Sequence, residues 1–395
     1  MIVALAIPLL AIALYQLLLA VAAFFYRPKS PRATGPHLLV LIPAHDEAGS
    51  IARCVRALRA QTYDVHRFDV VVVADNCTDD TAQRAEAAGA RVLVRHEPAV
   101  RGKGQALRWA LDRLLAEPQA PEAVVIIDAD SEAAPEFLAA LAAHLDPEVD
   151  AVQGESLLVP DGSPASLLRS AAFLLVNRTR PKGRAVIGAA SHLAGNGMLI
   201  RSQVLRDAPW DAFTSAEDLE YAVTLRMRGI SPRFAGGAIV YSPTAPNPTA
   251  AAQQQLRWEG GKAHLARTWI PRLLRAAMRE RRLGLLELAL ELAVPPLGFL
   301  TAAVAVGAIG SGALVVVGAV RPWAFWPWLA ALATIPGYVL VGLAAADAPG
   351  EVYAALVRAP VLVVRKLPAL ASVLRFRSDS WVRTERAADD EDNEH

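Results

Sequence analysis

The stretch that decides the fold is Val124-Val125-Ile126-Ile127-Asp128-Ala129-Asp130. Four apolar, mostly β-branched residues predict a parallel strand buried on both faces, because such a strand loses its polar alternation. The two aspartates follow at the carboxyl end of this strand, the edge of an open α/β sheet where ligands bind. Paired carboxylates there suit a hard divalent cation, Mg²⁺ or Mn²⁺, that also contacts phosphate oxygens. The alternative is an Asp-x-Asp on an ordinary loop, so the neighbouring segments must decide.

Three further apolar runs precede this stretch and alternate with helical patterns. Strands are predicted at Leu38–Ile42, Val70–Val73 and Val92–Val94, and a helix is predicted after Arg101-Gly102-Lys103-Gly104. This order with short connections predicts an α/β fold, a doubly wound parallel sheet with right-handed crossovers. No Gly-x-Gly-x-x-Gly follows the first strand and no P-loop motif occurs, which counts against dinucleotide enzymes and P-loop ATPases.

The composition indicates a membrane-bound protein with one sizeable soluble domain. The chain has 395 residues, 54% of them hydrophobic, and a mean hydropathy of +0.29. The formal net charge of +1 argues against a nucleic-acid partner, since such proteins are usually markedly basic. Cys54 and Cys77 form no recognisable metal-binding spacing and fit a reducing compartment.

The amino-terminal run from Ile2 to Phe25 is long and apolar enough to span a bilayer. A cleaved signal peptide would carry its positive charge before the apolar run, whereas here Arg27, Lys29 and Arg32 follow it. The positive-inside rule then predicts an external amino terminus, with the following residues in the cytoplasm. We therefore expect a multi-pass protein of the inner (plasma) membrane.

The carboxyl-terminal half returns to the membrane. Arginines alternate with apolar residues in Ile270–Arg282, as in an interfacial helix. Pro295-Pro296 divides the apolar sequence that follows, and Arg321-Pro322 forms a tight external loop between two spans. The predicted organisation is a transmembrane helix at 1–26, a linker at 27–37, a cytoplasmic domain at 38–269, interfacial helices at 270–294, two transmembrane helices at 295–346, an amphipathic interfacial helix at 351–376 and a cytoplasmic tail at 377–395.

Three other segments carry residues suited to ligand binding. The glycines and Lys103 at a helix start form a potential anion site, although an ordinary surface loop is equally consistent with them. In Ser191–Met198, glycines allow the backbone to approach a ligand closely. The acidic residues of Thr214–Tyr221 begin a predicted helix, where Thr214 or Ser215 capping the helix is the simpler interpretation.

Four motifs in order resemble the family 2 glycosyltransferases, in the membrane branch that includes cellulose, chitin and hyaluronan synthases. The resemblance covers Leu38 to Trp258 and the flanking apolar segments. It implies a GT-A (Rossmann-like) nucleotide-diphospho-sugar transferase domain with flanking transmembrane helices. The motifs are Asp75, Asp128-Ala129-Asp130, Glu217-Asp218 and Gln254-Gln255-Leu256-Arg257-Trp258.

The resemblance also implies roles for individual residues. Asp218 is the expected general base, and Asp128 and Asp130 are expected to hold a divalent metal ion, Mg²⁺ or Mn²⁺. The residues expected to bind the donor nucleotide sugar are Pro43, His45, Glu47, Asp75, Lys103, Asp128, Gln254, Arg257 and Trp258. Those expected at the acceptor are Gly195, Asn196, Gly197, Glu217 and Trp258.

Two departures from the family pattern bear on the nucleotide pocket. The usual Asp-Asp-Gly-Ser is Ala74-Asp75-Asn76-Cys77, and His45-Asp46 replaces the common Tyr-Asn. Uracil is the first expectation for the base.

The chemistry of such a reaction agrees with these residue types. A metal and a cation neutralise the diphosphate leaving group, and a carboxylate takes the proton of the acceptor hydroxyl. One base without a covalent intermediate implies inversion at the anomeric carbon. The expected function is an inverting transfer from a nucleotide sugar, first of all a UDP-sugar, to a lipid-linked or polysaccharide acceptor at the cytoplasmic face. The expected partners are therefore the nucleotide sugar, this acceptor, the lipid bilayer and polysaccharide-assembly proteins, but no nucleic acid.

Two other functions were weighed against this one. A membrane transporter or channel subunit with a cytoplasmic nucleotide-binding regulatory domain needs ionisable residues within its spans, and the clear spans have almost none. A nucleotidyltransferase would not need Gln-x-x-Arg-Trp.

Three spans are fewer than polymer-threading synthases usually have, which favours addition of one or a few sugars to a lipid or short glycan.

Overall fold

The computed structural model describes residues 2–245 and 247–361. The strands are β1 Leu38–Ala44, β2 Phe68–Asp75, β3 Arg91–Arg95, β4 Ala123–Ile126, β5 Glu132–Ala133, β6 Ala151–Val159, β7 Met198–Arg201 and β8 Arg233–Pro243. The helices are α1 Ile2–Ala23, α2 Ile51–Arg59, α3 Thr81–Ala87, α4 Lys103–Leu114, α5 Phe137–Ala142, α6 Pro164–Leu174, α7 Arg180–Val186, α8 Ser202–Asp207, α9 Glu217–Met227, α10 Pro248–Glu280, α11 Leu283–Ala293, α12 Leu297–Val316, α13 Trp326–Ala345 and α14 Gly350–Ala355.

The strands form one eight-stranded sheet in the order β3-β2-β1-β4-β7-β6-β8-β5. The first four strands are parallel, as predicted, with β1 between β2 and β4. Beyond β4 the sheet is mixed, because β7 runs antiparallel to both β4 and β6, and β5 runs antiparallel to β8. After β6 the chain leaves the sheet for α6 and α7 before it returns as β7, so no direct βαβ crossover imposes a parallel direction.

The strand β4 is buried on both faces, as its composition predicts. Val125 and Ile127 pack into a core on one face of the sheet, which α2 and α5 cover. Val124 and Ile126 pack into a second core on the other face, against α4 and α9. The alternating sides follow from the two-residue period of a strand. The aspartates that follow β4 are thus held by a strand with apolar contacts on both sides.

The chain forms two compact units. One contains the whole sheet and comprises 27–159 and 190–264 within the described residues. Within the same described residues, the other unit comprises 2–26, 160–189 and 265–361. This division differs from the predicted domain at 38–269, since α6 and α7 belong with the apolar helices. The contacts explain the grouping: a Cβ at Gly183 would lie 2.1 Å from the Leu19 carbonyl oxygen, so α7 crosses α1 closely.

In the part of the chain that the structure describes, three helical segments are long and apolar enough to cross a membrane, namely Val3–Ala23, Leu297–Val316 and Pro322–Ala345. They match the three predicted spans in number and place; that they cross a membrane stays a prediction. Of the predicted amphipathic segment 351–376, the structure describes only α14 and the turns up to residue 361. Its remainder and the predicted tail at 377–395 lie outside the described residues.

The predicted interfacial segment 270–294 corresponds to the end of α10 and to α11. The two acids that interrupt its apolar sequence, Glu287 and Glu291, pair with arginines of α7. Arg184 lies 2.5 Å from Glu287 Oε1 and 2.7 Å from Glu291 Oε2, and Arg180 also pairs with Glu291. These pairs explain how carboxylates are retained there, because a buried charge without a partner is costly.

Candidate active site

The carboxyl ends of β1, β2 and β4 bring the predicted donor-binding residues to one edge of the sheet. Asp128 and Asp130 follow β4, His45 and Glu47 follow β1, and Asp75 ends β2. Parallel strands place their carboxyl ends on the same side, where ligands bind in open α/β sheets. Pro43 lies within β1 itself, so it reaches this edge only through the residues that follow it.

Lys103 contacts the Asp-x-Asp loop, the glycine stretch and the acidic motif. Its ammonium, at the start of α4, lies 2.5 Å from Asp128 Oδ1, donates to the Gly195 carbonyl oxygen at 2.6 Å and lies 3.8 Å from Glu217 Oε1. Burial alone would lower the pKa of Lys103, but the carboxylates of Asp128 and Glu217 outweigh it and raise this pKa above its usual range. One fixed positive charge therefore lies between the Asp-x-Asp loop, the glycine stretch and the acidic motif.

Asp218 lies in the first turn of α9. The helix begins after Ala216 without a side-chain cap, and the buried hydroxyls of Thr214 and Ser215 find no hydrogen-bond partner among the described residues. The simpler capping interpretation is therefore wrong. The Asp218 Oδ1 accepts from the Leu219 N–H at 2.7 Å. Burial and then the charge of Glu217 raise the pKa of Asp218 to about 7, against the opposing effect of Lys103. A carboxylate with such a pKa suits proton transfer near neutral pH.

Gly195 lies directly against Asp218. Its φ of +69° belongs to the left-handed region, and a Cβ there would lie 2.9 Å from Asp218 Oδ2. The backbone of the glycine stretch therefore helps to set the position of this carboxylate.

If Asp218 is the general base, as expected, Gly195→Ala should reduce turnover by about 10- to 100-fold, because displacing a reacting group by a fraction of an ångström is costly. The control is Gly188→Ala, whose φ of +76° is similar but whose Cβ would meet no described atom within 4 Å. The two variants share the backbone strain and differ in the clash. Equal turnover numbers and melting temperatures for both would contradict the assigned contact.

Asn196 holds the Asp-x-Asp loop rather than presenting its amide freely. Its Oδ1 accepts from the Asp128 N–H at 3.1 Å, and its Nδ2 donates to Ser131 at 2.8 Å and to Ser242 at 3.2 Å. Gln153 of β6 fixes the same segment, since its Nε2 donates to the Asn196 carbonyl at 2.8 Å. Gln153 was not among the predicted site residues; its strand also contains Glu155 and Ser156, so its polarity did not single it out.

The β1 and β2 ends form a second, more buried group. His45 Nδ1 lies 2.7 Å from the Asp75 carbonyl oxygen, and Arg95 Nη1 lies 2.5 Å from Asp75 Oδ1. Burial raises the pKa of Asp75, and Arg95 opposes this shift. Glu47 turns into its own loop, where its carboxylate accepts from the Ser50 hydroxyl at 2.9 Å. Arg95 was not among the predicted site residues.

The Gln-x-x-Arg-Trp motif lies near the start of α10, where Trp258 keeps 41% of its surface exposed. One turn further along, a Cβ at Gly261 would lie 3.0 Å from the Ala216 Cβ and 3.1 Å from Ser215 Oγ. This close approach brings α10 against the residues that precede Asp218. Gln254 and Arg257 lie on the same helix within one turn of Trp258. The structure therefore brings the last motif next to the acidic motif.

Two groups of residues have the chemistry to hold a metal ion. Asp128 and Asp130 are partly exposed carboxylates at a strand end, and they fit a hard cation that takes its remaining ligands from diphosphate and water. Among the described residues, the one group with three close His, Cys, Asp or Glu ligand atoms is Asp46, Cys77 and Asp79. The carboxylates of that group already accept loop hydrogen bonds, from the Thr78 N–H at 2.6 Å and the Ala48 N–H at 3.1 Å.

Residues 36–261, more than half of the 395-residue chain, match the sequence profile of the family described as Glycosyltransferase like family 2. The chain belongs to this family. The predicted family resemblance is thereby confirmed. The solved structure of the mannosyltransferase PcManGT from Pyrobaculum calidifontis, in complex with GDP-Man and Mn²⁺, superimposes with a TM-score of 0.53 at 21% identity. It covers 87% of this chain and 99% of that chain. The predicted GT-A fold of this family 2 member is confirmed as well.

Two curated relatives of this family 2 chain are glycosyltransferases by name. The β-monoglucosyldiacylglycerol synthase of Synechocystis sp. is 25% identical over 247 residues, which are 59% of this chain and 50% of the relative. The low-salt glycan biosynthesis hexosyltransferase Agl6 of Haloferax volcanii is 38% identical over 79 residues, 20% of this chain and 18% of the relative. The chain thus spans half or less of the length of these relatives.

Proposed function

We propose that the chain transfers a sugar from a nucleotide-sugar donor to a lipid-linked or glycan acceptor at the cytoplasmic face of the inner membrane, with inversion. The observation that carries this proposal is the position of the Lys103 ammonium. It contacts Asp128, on the side expected to hold the diphosphate, and lies 3.8 Å from Glu217, the neighbour of the expected base. The diphosphate of the donor and the hydroxyl of the acceptor would then both lie close to the Lys103 ammonium.

The residues divide the chemistry among them. Asp218 takes the proton of the acceptor hydroxyl as that oxygen attacks the anomeric carbon. Lys103 and Arg257 provide positive charge for the departing diphosphate. A divalent cation held by Asp128 and Asp130 would supply further neutralisation of the diphosphate. One displacement by the acceptor oxygen, with no covalent intermediate on the enzyme, inverts the configuration of the anomeric carbon.

A lipid acceptor is the more specific form of the proposal. It is supported by three helices apolar enough to cross a membrane and by the name of the Synechocystis relative, a glucosyldiacylglycerol synthase. A membrane-inserted enzyme would share its bilayer with a lipid acceptor. A UDP-sugar remains the first expectation for the donor.

Product analysis tests this proposal directly. Purified full-length protein in mixed lipid–detergent micelles is incubated with radiolabelled UDP- and GDP-hexoses and with diacylglycerol, monoglycosyl-diacylglycerol or polyprenyl phosphate. We expect label in the organic phase, in a single glycolipid whose anomeric configuration is opposite to that of the donor. Label that enters only water-soluble glycan would exclude the lipid acceptor, and retained configuration would exclude the single-base mechanism.

Cysteine labelling tests the proposed topology. In a Cys54→Ala, Cys77→Ser background, Arg358→Cys should react with a membrane-impermeant maleimide only after cells are opened, because the positive-inside rule places this end in the cytoplasm. The matched control is Val317→Cys, in the exposed turn between α12 and α13, which should react in intact cells. The reverse pattern would overturn the three-span scheme.

A further inference from the structure

The carboxylate of Asp75 is held by a buried arginine. This residue ends β2, and the register of the sheet pairs it directly with Arg95, the last residue of β3. The Arg95 side chain is only 1% exposed and that of Asp75 8%. A guanidinium remains charged at any relevant pH, so the two form a buried ion pair at the edge of the sheet where ligands bind.

The hydrogen bonds that the described residues donate to the Asp75 carboxylate all go to one of its two oxygens. Oδ1 accepts from Arg95 Nη1 at 2.5 Å and from Asn76 Nδ2 at 2.9 Å, whereas no described residue donates to Oδ2. Arg95 is itself fixed, because its Nη2 donates to Glu97 Oε2 at 2.9 Å and to the Val100 carbonyl at 2.8 Å. The carboxylate therefore has a defined orientation and one uncommitted acceptor oxygen.

The spacing of the strands indicates which part of a ligand would reach this oxygen. The order β2-β1-β4 places Asp75 two strands away from Asp128, about 10 Å at the usual strand separation. A nucleoside diphosphate lying across the strand ends, with its phosphates at Lys103 and Asp128, places its base at Asp75.

We infer that Arg95 is a positioning residue for the donor: it fixes Asp75 so that Oδ2 accepts a hydrogen bond from a ring N–H of the base. This inference rests on the proposed nucleotide-sugar function. An ionised carboxylate accepts and cannot donate. Uracil and guanine carry a ring N–H on their pairing edge, whereas cytosine and adenine carry a ring acceptor there. Arg95 thus selects the first pair of bases through Asp75.

The test is titration of the purified full-length protein with UDP, GDP, CDP and ADP. Wild-type protein should bind UDP or GDP much more tightly than CDP and ADP. In Arg95→Met, the Kd for the preferred nucleotide should rise on the order of 10- to 100-fold, as expected for loss of a charge-assisted contact, and the ranking of bases should flatten. Arg95→Lys should restore part of the ranking. In transfer assays the loss should appear in KM for the donor rather than in kcat.

The matched control is Arg91→Met, at the opposite end of β3, where Arg91 pairs with Glu117 at 2.6 Å. It removes an ion pair from the same strand and should leave the base ranking unchanged. If Arg95→Met does not fold, Asp75→Asn replaces it, because the shape is kept while the acceptor-only character is lost; the ranking should again flatten.

The outcomes separate this inference from the proposed function. If wild-type protein prefers UDP or GDP and neither Arg95→Met nor Asp75→Asn changes the ranking relative to Arg91→Met, the inference alone is wrong. A wild-type preference for CDP or ADP, or a uniform weakening of all four nucleotides in Arg95→Met, also overturns it. If wild-type protein binds none of the four nucleotides, the proposed function and the inference are both wrong.

Discussion

Asp218→Asn should bind the donor nucleotide with near-normal affinity yet lose about 10²- to 10⁴-fold in transfer rate. The amide keeps the size of the carboxylate and can still accept from the Leu219 N–H, so the start of α9 is preserved. It cannot take a proton from the acceptor hydroxyl. Donor affinity by titration and transfer rate by product formation are measured on the same preparation.

The control for this variant is Asp211→Asn, an acid in the loop before α9 that pairs with Arg108 at the surface. It should retain full activity. The pH profile gives a second readout: because Asp218 must be deprotonated and its pKa is raised to about 7, kcat/KM should rise with pH up to about 7 and then level off. Normal transfer by Asp218→Asn would exclude it as the base, and lost donor binding would place it at the donor instead.

Asp130→Asn should reduce turnover on the order of 10²-fold or more and raise the Mn²⁺ concentration needed for half-maximal activity. The substitution removes one of two carboxylates at the end of β4, so a hard cation loses a charged ligand. Activity is measured as a function of Mn²⁺ and of Mg²⁺ after the enzyme has been treated with a chelator.

The matched control is Asp79→Asn, which removes a carboxylate from the other group of potential metal ligands. It should keep the wild-type dependence on metal concentration, since the Asp79 carboxylate accepts hydrogen bonds from the Thr81 N–H and from the Ala48 N–H. If Asp79→Asn shifts this dependence and Asp130→Asn does not, the metal belongs to the other group. If chelator-treated wild-type enzyme keeps full activity, the proposed role of the metal ion is excluded.

The sequence predicted the structure best where the burial and residue types of a single short segment determine it. Buried strands such as Val124–Ile127 have a composition of their own, and their carboxyl ends must meet at one edge of a parallel sheet. This was sufficient to bring Asp75, Asp128 and the residues after β1 together. The antiparallel strand β7 was not predicted, because its direction depends on the path of α6 and α7 rather than on its own residues.

The site residues that the sequence did not predict are those that hold another site residue in place. Arg95 contacts Asp75 only because of the register between β2 and β3, and Gln153 reaches Asn196 only because β6 and β7 are neighbours. Periodicity indicates which residues are buried, but it does not indicate which residues of two strands lie opposite each other. The Lys103–Asp128 contact likewise required the structure, although the sequence indicated both as donor-binding residues.

The most direct test of the central claim is release of nucleoside diphosphate from a panel of nucleotide sugars by purified protein, with and without extracted membrane lipids. We predict that one donor of the panel is consumed, that lipids accelerate its consumption, and that Asp218→Asn abolishes the acceleration while Asp211→Asn does not. If the protein releases nucleoside diphosphate from no donor, it is not a transferase for these nucleotide sugars. Release that neither lipids nor glycans accelerate, and that Asp218→Asn leaves unchanged, would exclude sugar transfer with Asp218 as the base.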